Sequence, residues 1–173
     1  MNYVIMDIEW IVPTSYDDFP EIIEIAAIKV KEVDGLLLEG ERFHQYIKPS
    51  FRKLNHKTID MIGLKTFNFR FETKFPKIMT NFFKWLGKEK YVIMTWGQQD
   101  QLVLEQNCKM YSIKVNWLLP YKDLQFEFMS AIKAKRKVGL QQALQISGIN
   151  FTGKKHSAIN HAQYTCKMFM KYF

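Results

Sequence analysis

The sequence predicts an α/β protein in which one mixed sheet is flanked by helices, and three observations support this prediction. An almost continuous apolar run at 21–31 is typical of a strand that is buried on both faces. A second apolar run, at 91–95, lies between two segments with helical spacing, and the last third of the chain is helical by the same criterion. With 173 residues, 47% hydrophobic and 15% aromatic, the chain suits one globular domain spanning 1–173, because no linker or low-complexity tract divides it.

The strands are predicted from short apolar runs bounded by turn residues. A meander of three strands is expected at 3–8, 21–31 and 36–47, the last one after the Asp34-Gly35 turn. The run Tyr91 to Thr95 is typical of a buried parallel strand. Val115 to Leu118 predicts one further short strand.

The helices are predicted from apolar spacing and end signals, at 56–63, 72–86, 100–111, 123–134, 139–147 (ended by Gly148) and from about Ser157 onward. The core-facing stripe of the second helix contains Phe75, Ile78, Met79, Phe82, Phe83 and Leu86. In the third helix the buried side is marked by Leu102, Val103 and Leu104. The last helix is expected to face the core with Ala158, Ala162, Thr165 and Phe169.

The net charge of +8, from 25 Lys+Arg against 17 Asp+Glu, favours a polyanionic partner such as nucleic acid. Most of the cations are scattered lysines, however, so a solvated Lys-rich surface explains the charge more simply. The local groups are Lys133, Lys135, Arg136 and Lys137, and then Lys154 and Lys155.

Compartment and membrane contact are addressed by two further patterns. No apolar run reaches the roughly 18 residues that a membrane span needs, and the N-terminus lacks the features of a secretory signal. Cys108 and Cys166 lie far apart without Cys-x-x-Cys spacing, so neither a zinc site nor a disulfide framework is indicated. A cytoplasmic protein with reduced cysteines and no membrane contact is expected.

Asp7 and Glu9 are two carboxylates, two residues apart, at the end of the first predicted strand. Residues i and i+2 of a strand share one face, so both acids would project from the same side of the sheet. A divalent ion or a shared proton would relieve their repulsion. The alternative is an exposed strand end where both acids meet water.

Asp100 and His156 each lie directly before or at the start of a predicted helix. Asp100 alone is explained equally well as an acid in the first turn of a helix, and His156 alone as a solvated loop residue. Both would nevertheless reach the edge of the sheet at which α/β proteins place their sites, close to Asp7 and Glu9.

Five ordered segments together resemble a known family. They are Asp7-x-Glu9, Phe19-Pro20-Glu21-Ile22-Ile23-Glu24-Ile25-Ala26-Ala27, Trp96-Gly97-Gln98-Gln99-Asp100, Gly139-Leu140-x-x-Ala143-Leu144 and His156-Ser157-Ala158. The chain is similar over essentially its whole length to the DEDDh 3′→5′ exonucleases. The specific branch is that of the histone-mRNA exonucleases and the bacterial sporulation-inhibitor proteins.

This resemblance implies an RNase H-like fold and hydrolysis of phosphodiester bonds with two divalent ions, Mg²⁺ or Mn²⁺. Asp7 would bridge the ions, Glu9 would bind one of them, and Asp100 would support an ion partly through water. His156 would be the general base. The chemistry agrees, because two ions stabilise the attacking and leaving oxygens and a neutral imidazole accepts the water's proton. The implied partner is the 3′ end of single-stranded RNA or DNA, while protein partners stay open.

The chain departs from the family at the last metal ligand. The family has His-x-Ala-x-x-Asp-Ala, whereas this chain has His161 at the position of the aspartate and Asn160 before it. Three interpretations follow. His161 coordinates metal through a ring nitrogen and shifts the preference toward Mn²⁺, Co²⁺ or Zn²⁺; or the lost charge weakens catalysis and leaves a nucleic-acid-binding module; or the domain is an interaction scaffold.

Three further residues are predicted to contact nucleic acid. Trp10, beside Glu9, would stack on the terminal base, and Lys154 and Lys155 would contact phosphate beside His156. The alternatives are a core tryptophan and two solvated loop lysines. The sequence lacks a phosphate-loop, dinucleotide-binding or nucleophile-turn motif, which disfavours those enzyme classes.

Overall fold

A mixed sheet forms the centre of the computed structural model, which describes residues 1–15, 18–62 and 73–173. Its six strands within these ranges are β1 Asn2–Ile11, β2 Glu21–Val33, β3 Leu36–Lys48, β4 Thr73–Lys74, β5 Val92–Thr95 and β6 Tyr121–Asp123. Their order across the sheet is β4-β3-β2-β1-β5-β6. The predicted meander of β1, β2 and β3 is confirmed.

Local turn chemistry and the crossover connections set the strand directions. Asp34 and Gly35 adopt φ of 52° and 78°, the left-handed pair that a tight two-residue hairpin needs, so β3 returns antiparallel to β2. β1 is antiparallel to β2 but parallel to β5, and β5 is parallel to β6. The carboxyl ends of β1, β5 and β6 therefore meet at one edge of the sheet.

The helices are α1 His56–Ile62, α2 Phe75–Leu86, α3 Gln99–Met110, α4 Leu124–Ala131, α5 Leu140–Ile146 and α6 Ala158–Tyr172, with one 3₁₀ turn at Asn116–Leu118. α2 and α3 pack with Val4, Met6 and Ile8 on one face of the sheet. α6 packs with Ile5 and Ala26 on the other face. This arrangement, a mixed sheet between helices, confirms the predicted fold class.

Small side chains bring α6 close to the sheet. Ala158 and Ala162 are fully buried against Ile5 and Ala26, and Thr165 and Phe169 are buried on the same helix. The predicted core face of the last helix is confirmed. Because the first turns of α6 lie directly over β1 and β2, side chains of these turns can reach the carboxyl end of β1.

The predicted strand at Val115–Leu118 is wrong. The amide of Leu118 donates to the carbonyl of Val115 at 3.0 Å, a local bond that closes a 3₁₀ turn instead of a strand ladder. Trp117 from this turn packs its ring against Phe82 and Phe83. The actual strand follows at Tyr121–Asp123, where a central lysine and the short length hide any apolar pattern.

The buried side predicted for α3 is wrong at one residue: Leu102 is 62% exposed, while Val103 and Leu104 are buried. Three consecutive residues cover about 200° of a helix, so they cannot all face one core. The stripe of α2 is confirmed, although its helix begins at Phe75 because Thr73 and Lys74 pair as β4. Glu72 and Gly63, included in two predicted helices, lie outside the described residues.

Two remaining expectations concern the membrane and the cysteines. In the parts of the chain that the structure describes, each helix is too short or too polar to cross a membrane. Cys108 and Cys166 are both free and buried. Burial raises the pKa of the Cys108 thiol to about 11 and that of Cys166 to about 12, so both are neutral thiols.

Candidate metal centre and active-site cleft

Asp7 and Glu9 project from the same face of β1, as the strand period predicts. Their exposed fractions are only 7% and 6%, so the alternative of two solvated acids is wrong. In the register with β2, Asp7 lies opposite Ala26 and Glu9 lies opposite Glu24. The register shifts directly after Glu9, an irregularity that typically bends a strand and re-aims its side chains at a sheet edge.

Asp100 reaches the site from the turn between β5 and α3. Gly97 adopts φ of 95° in this turn, which favours glycine, and its amide donates to Oδ1 of Asp123 at 3.0 Å. The hydroxyl of Thr95 donates to the carbonyl of Gly97 at 2.6 Å. These bonds fix the turn, so that Asp100 enters the first turn of α3 with 7% exposure.

His161 brings a ring nitrogen to the two acids of β1. Its Nδ1 lies 3.6 Å from Oδ2 of Asp7 and 3.8 Å from Oε1 of Glu9. His161 is on α6, between the buried Ala158 and Ala162, so helix packing sets its position. The residue that departs from the family pattern is therefore the one that faces both carboxyl groups.

The pKa values of the three acids are raised by their surroundings. Burial raises the pKa of Asp7 well above its usual range, and the charge of Glu24 adds to this effect. Burial and the charge of Asp7 raise the pKa of Glu9 to about 8, although His161 opposes the shift. The pKa of Asp100 is raised well above its ordinary value by burial and by both neighbouring acids. The cluster thus lacks counter-charge, which a cation would supply.

His156 is exposed at the mouth of the same cleft. It precedes α6 with φ of 55°, in the left-handed region, and its ring centroid lies 6.3 Å from that of His161. Its pKa is lowered by partial burial first and then by the charges of His161 and Lys155. At neutral pH the ring is therefore mainly in its neutral form, which can accept a proton.

Asn160 does not turn toward the acids. Its amide nitrogen donates to the carbonyl of Lys154 at 3.1 Å, and it lies against Gly153, where an added Cβ would be 3.0 Å from that nitrogen. Asn160 thus stabilises the loop of residues 153–156, which leads to His156. Lys154 and Lys155 are both exposed on this loop, and Lys155 lines a second cavity of about 640 Å³ beside Phe151.

The acids and both histidines line one cleft of about 530 Å³. Trp10 also lines it, and the same side chain packs partly against the core, while its stacking on a base stays a prediction. Sequence reasoning missed further cleft residues, among them Met61, Trp96, Gln99 and Leu140. Trp96, Gln99 and Leu140 lie in recognised segments, whereas Met61 reaches the cleft only through the packing of α1, and no local pattern indicates this.

The donor atoms at the centre of this cleft fit a divalent ion. One oxygen each from Asp7 and Glu9 and one ring nitrogen of His161 lie within 4.8 Å of one another. Metal–ligand distances of about 2.0–2.2 Å place neighbouring ligand atoms about 3–3.5 Å apart. The observed separations of 3.6 and 3.8 Å from Nδ1 are only slightly wider, so a small contraction would complete the site.

Residues 4–169 match the profile of the RNase T family, which is described as exonuclease. The chain belongs to this exonuclease family. It is similar to the probable 3′-5′ exonuclease KapD of Bacillus subtilis strain 168, with 30% identity over 184 residues that cover 97% of this chain and 82% of that protein. Mouse ERI1 exoribonuclease 2 is 27% identical over 176 residues, covering 88% of this chain and 25% of that protein.

Solved structures show the same fold. The nuclease domain of 3′hExo, a DEDDh family member bound to rAMP, has a TM-score of 0.89 at 19% identity, covering 98% of this chain and 90% of that one. E. coli exonuclease I in complex with a dT13 oligonucleotide has a TM-score of 0.77 at 14% identity, covering 98% of this chain and 40% of that one. The predicted family and RNase H-like fold are confirmed.

Proposed function

We propose that this chain is a 3′→5′ exonuclease that hydrolyses phosphodiester bonds at the 3′ end of single-stranded RNA or DNA. The observation that carries the proposal is the convergence of Asp7, Glu9 and His161 within 4.8 Å in a buried cleft, in a chain of the exonuclease family. A nuclease needs counter-charge where phosphate oxygens gather negative charge, and this donor set can supply it through bound metal.

Asp7, Glu9, Asp100 and His161 would hold two divalent ions, Mg²⁺ or Mn²⁺. When bound, such ions stabilise the charge on the attacking and leaving oxygens of the phosphodiester. The charge of Asp7 raises the pKa of both Glu9 and Asp100, so Asp7 would share bound metal with each of these two acids.

His156 would take the proton from the attacking water. Its exposed position at the mouth of the cleft gives it access to solvent and substrate. Its lowered pKa keeps the ring neutral near pH 7, as a general base requires. His161, in contrast, faces Asp7 and Glu9 and is better placed to bind metal than to collect a proton.

The substrate would enter past Trp10, whose ring lines the cleft and can stack on the terminal base. Lys154 and Lys155 would contact phosphates on the same side as His156. Because 3′hExo was solved with rAMP and exonuclease I with a DNA oligonucleotide, both kinds of nucleic acid are candidate substrates. We further propose one domain across 1–173, and a cytoplasmic location stays a prediction of the sequence.

The second candidate function is a nucleic-acid-binding module without efficient catalysis. The observation that favours it is the ring of His161 where the family has a carboxylate. An imidazole carries no negative charge, and burial lowers the pKa of this ring, so it is mainly neutral at pH 7. A site with fewer negative charges binds metal cations more weakly, which would slow hydrolysis. The cleft and the lysines near it would still be able to bind nucleic acid. An interaction scaffold is the third interpretation.

The experiment compares degradation of 5′-labelled single-stranded RNA and DNA, in Mg²⁺ and separately in Mn²⁺. The native chain is compared with Asp7→Ala, with His161→Asp and with the surface control Glu41→Gln, whose side chain is 72% exposed. Shortening from the 3′ end by the native chain and the control, lost in Asp7→Ala, supports the nuclease. Binding without shortening, with activity gained in His161→Asp, supports the binding module and contradicts the nuclease.

A further inference from the structure

We propose that the site formed by Asp7, Glu9 and His161 selects a first-row transition ion (Mn²⁺, Co²⁺ or Zn²⁺) over Mg²⁺. We further propose that it binds one such ion per chain before nucleic acid arrives. The inference deepens the proposed function and rests on it in one respect: it assumes that this cleft is the nuclease site. The binding event itself involves only the residues of the chain.

The donor chemistry is the first argument. Mg²⁺ prefers oxygen ligands in near-octahedral geometry and loses its water reluctantly, whereas imidazole nitrogen suits zinc, cobalt and manganese better. A site with two carboxylate oxygens and one ring nitrogen therefore disfavours Mg²⁺ at this position. An aspartate at 161 would instead give three carboxylates, a set that suits Mg²⁺.

The direction of the ring is the second argument. His161 Nδ1 lies 3.6 and 3.8 Å from the two acids, while Phe151 contacts the ring at a centroid distance of 6.3 Å. Only 22% of the His161 side chain is exposed. The nitrogen is thus aimed by a packed helix and an aromatic neighbour, so little ordering is needed when an ion binds.

The absence of competing partners is the third argument. Among the described residues, no lysine or arginine forms a salt bridge with Asp7 or Glu9, and the nitrogen that approaches their carboxyl oxygens is Nδ1 of His161. Asn160, the other side chain that could reach from this turn, donates its amide to the carbonyl of Lys154 instead. Asn160 is therefore engaged elsewhere, and Nδ1 of His161 is the donor atom of this turn that faces the two acids.

The test measures metal binding to the metal-free chain without nucleic acid. Co²⁺ is titrated while its visible absorption is recorded, and calorimetry gives the affinities of Mn²⁺, Zn²⁺ and Mg²⁺. We expect one Co²⁺ per chain, with a spectrum that persists in excess Mg²⁺. His161→Ala should lower the affinity for Co²⁺ and Zn²⁺ by about tenfold or more. His161→Asp should reduce the ratio of the transition-ion affinity to the Mg²⁺ affinity. The control His56→Gln changes an exposed histidine outside the cleft and should match the native chain.

Two results would overturn the inference. Equal affinity of the native chain for Mg²⁺ and Mn²⁺ does so without any variant, and so does Co²⁺ binding that survives His161→Ala in a folded protein. The nuclease proposal is judged separately by 3′ shortening. Selective metal binding without shortening of the nucleic acid would support the metal inference and contradict the nuclease proposal. Shortening in Mg²⁺ that is unaffected by His161→Ala would support the nuclease proposal and contradict the metal inference.

Discussion

His44 and Glu24 form a hydrogen bond beside the candidate metal ligands, with Nε2 of the histidine 2.8 Å from Oε1 of the glutamate. Glu24 is only 2% exposed and lies across from Glu9 in the strand register. The hydroxyl of Ser157, the residue between His156 and α6, is 3.5 Å from the same oxygen. Glu24 thus links the third strand, the site and the start of the last helix.

Replacing Glu24 by alanine should lower the free energy of unfolding by about 1–3 kcal/mol, because it leaves His44 without its buried partner. Glu24→Gln keeps an acceptor oxygen for His44 and should lose clearly less. Urea unfolding of the metal-free proteins, followed by circular dichroism, measures both changes. Equal losses in the two variants would show that the neutral hydrogen bond contributes nothing and that the charge of Glu24 accounts for the effect.

The metal-free chain should become less stable as the pH rises from 6.5 to 8. The pKa of Glu9 is raised from 4.5 to about 8, so the folded state binds more protons than the unfolded state between these values and a rising pH favours unfolding. His156 and His161 have lowered pKa values. Their effect has the opposite sign and acts below their ordinary value of 6.5.

Thermal unfolding at several pH values between 6.5 and 8 checks this prediction. The midpoint temperature of the metal-free native chain should fall across the window, and Glu9→Gln should fall less because its side chain does not titrate. Asp7 and Asp100 also have raised pKa values, so part of the slope should remain in that variant. A native midpoint that stays level or rises with pH would contradict the raised carboxyl pKa values.

The two central acids of the candidate site can be predicted from the sequence, because the rule that places them is local. Asp7 and Glu9 share a face because side chains alternate along a strand, and that rule needs only their spacing. Asp100 is predicted to reach the same edge because it follows an apolar run and opens a helix, whereas His161 is placed only through the family resemblance, since its approach to β1 depends on how α6 packs. The roles of these residues stay proposals, whereas their convergence is a feature of the structure.

The remaining site residues depend on tertiary register. Glu24 lies inside an apolar run, and its partner His44 is found only once β2 and β3 are aligned. Met61 and Leu140 reach the cleft because α1 and α5 pack beside it. The mistaken strand at Val115–Leu118 has a similar cause, because a short apolar run does not distinguish a strand from a turn that packs on neighbouring aromatics.

Replacing His156 by alanine should lower kcat by about 10²–10⁴ without changing Co²⁺ affinity, because the proposed role is proton transfer and not metal binding. The pH profile discriminates further. The native rate should fall toward acidic pH as the imidazole protonates, with a midpoint below 6.5 because its pKa is lowered. His156→Ala should lack this acidic limb, and His56→Ala should keep it. An unchanged kcat in His156→Ala would show that His156 is not the general base.

Changing Lys154 and Lys155 together to glutamine should reduce the salt dependence of nucleic-acid binding. Each phosphate contact on a single strand contributes about 0.7 to the slope of log affinity against log salt, so two contacts correspond to a change of up to about 1.4. Fluorescence anisotropy with a labelled oligonucleotide at several salt concentrations, in the catalytically impaired Asp7→Ala background, measures the slope.

The matched control for this pair is Lys88→Gln with Lys90→Gln. These two lysines are also exposed, but they precede β5 and therefore lie at the opposite edge of the sheet from the cleft. Both double variants remove the same charge, so a general effect of net charge would lower both slopes equally. A loss confined to the Lys154 and Lys155 variant would locate the path of the bound strand beside His156, whereas equal slopes in the two variants would show that these two lysines do not contact phosphate.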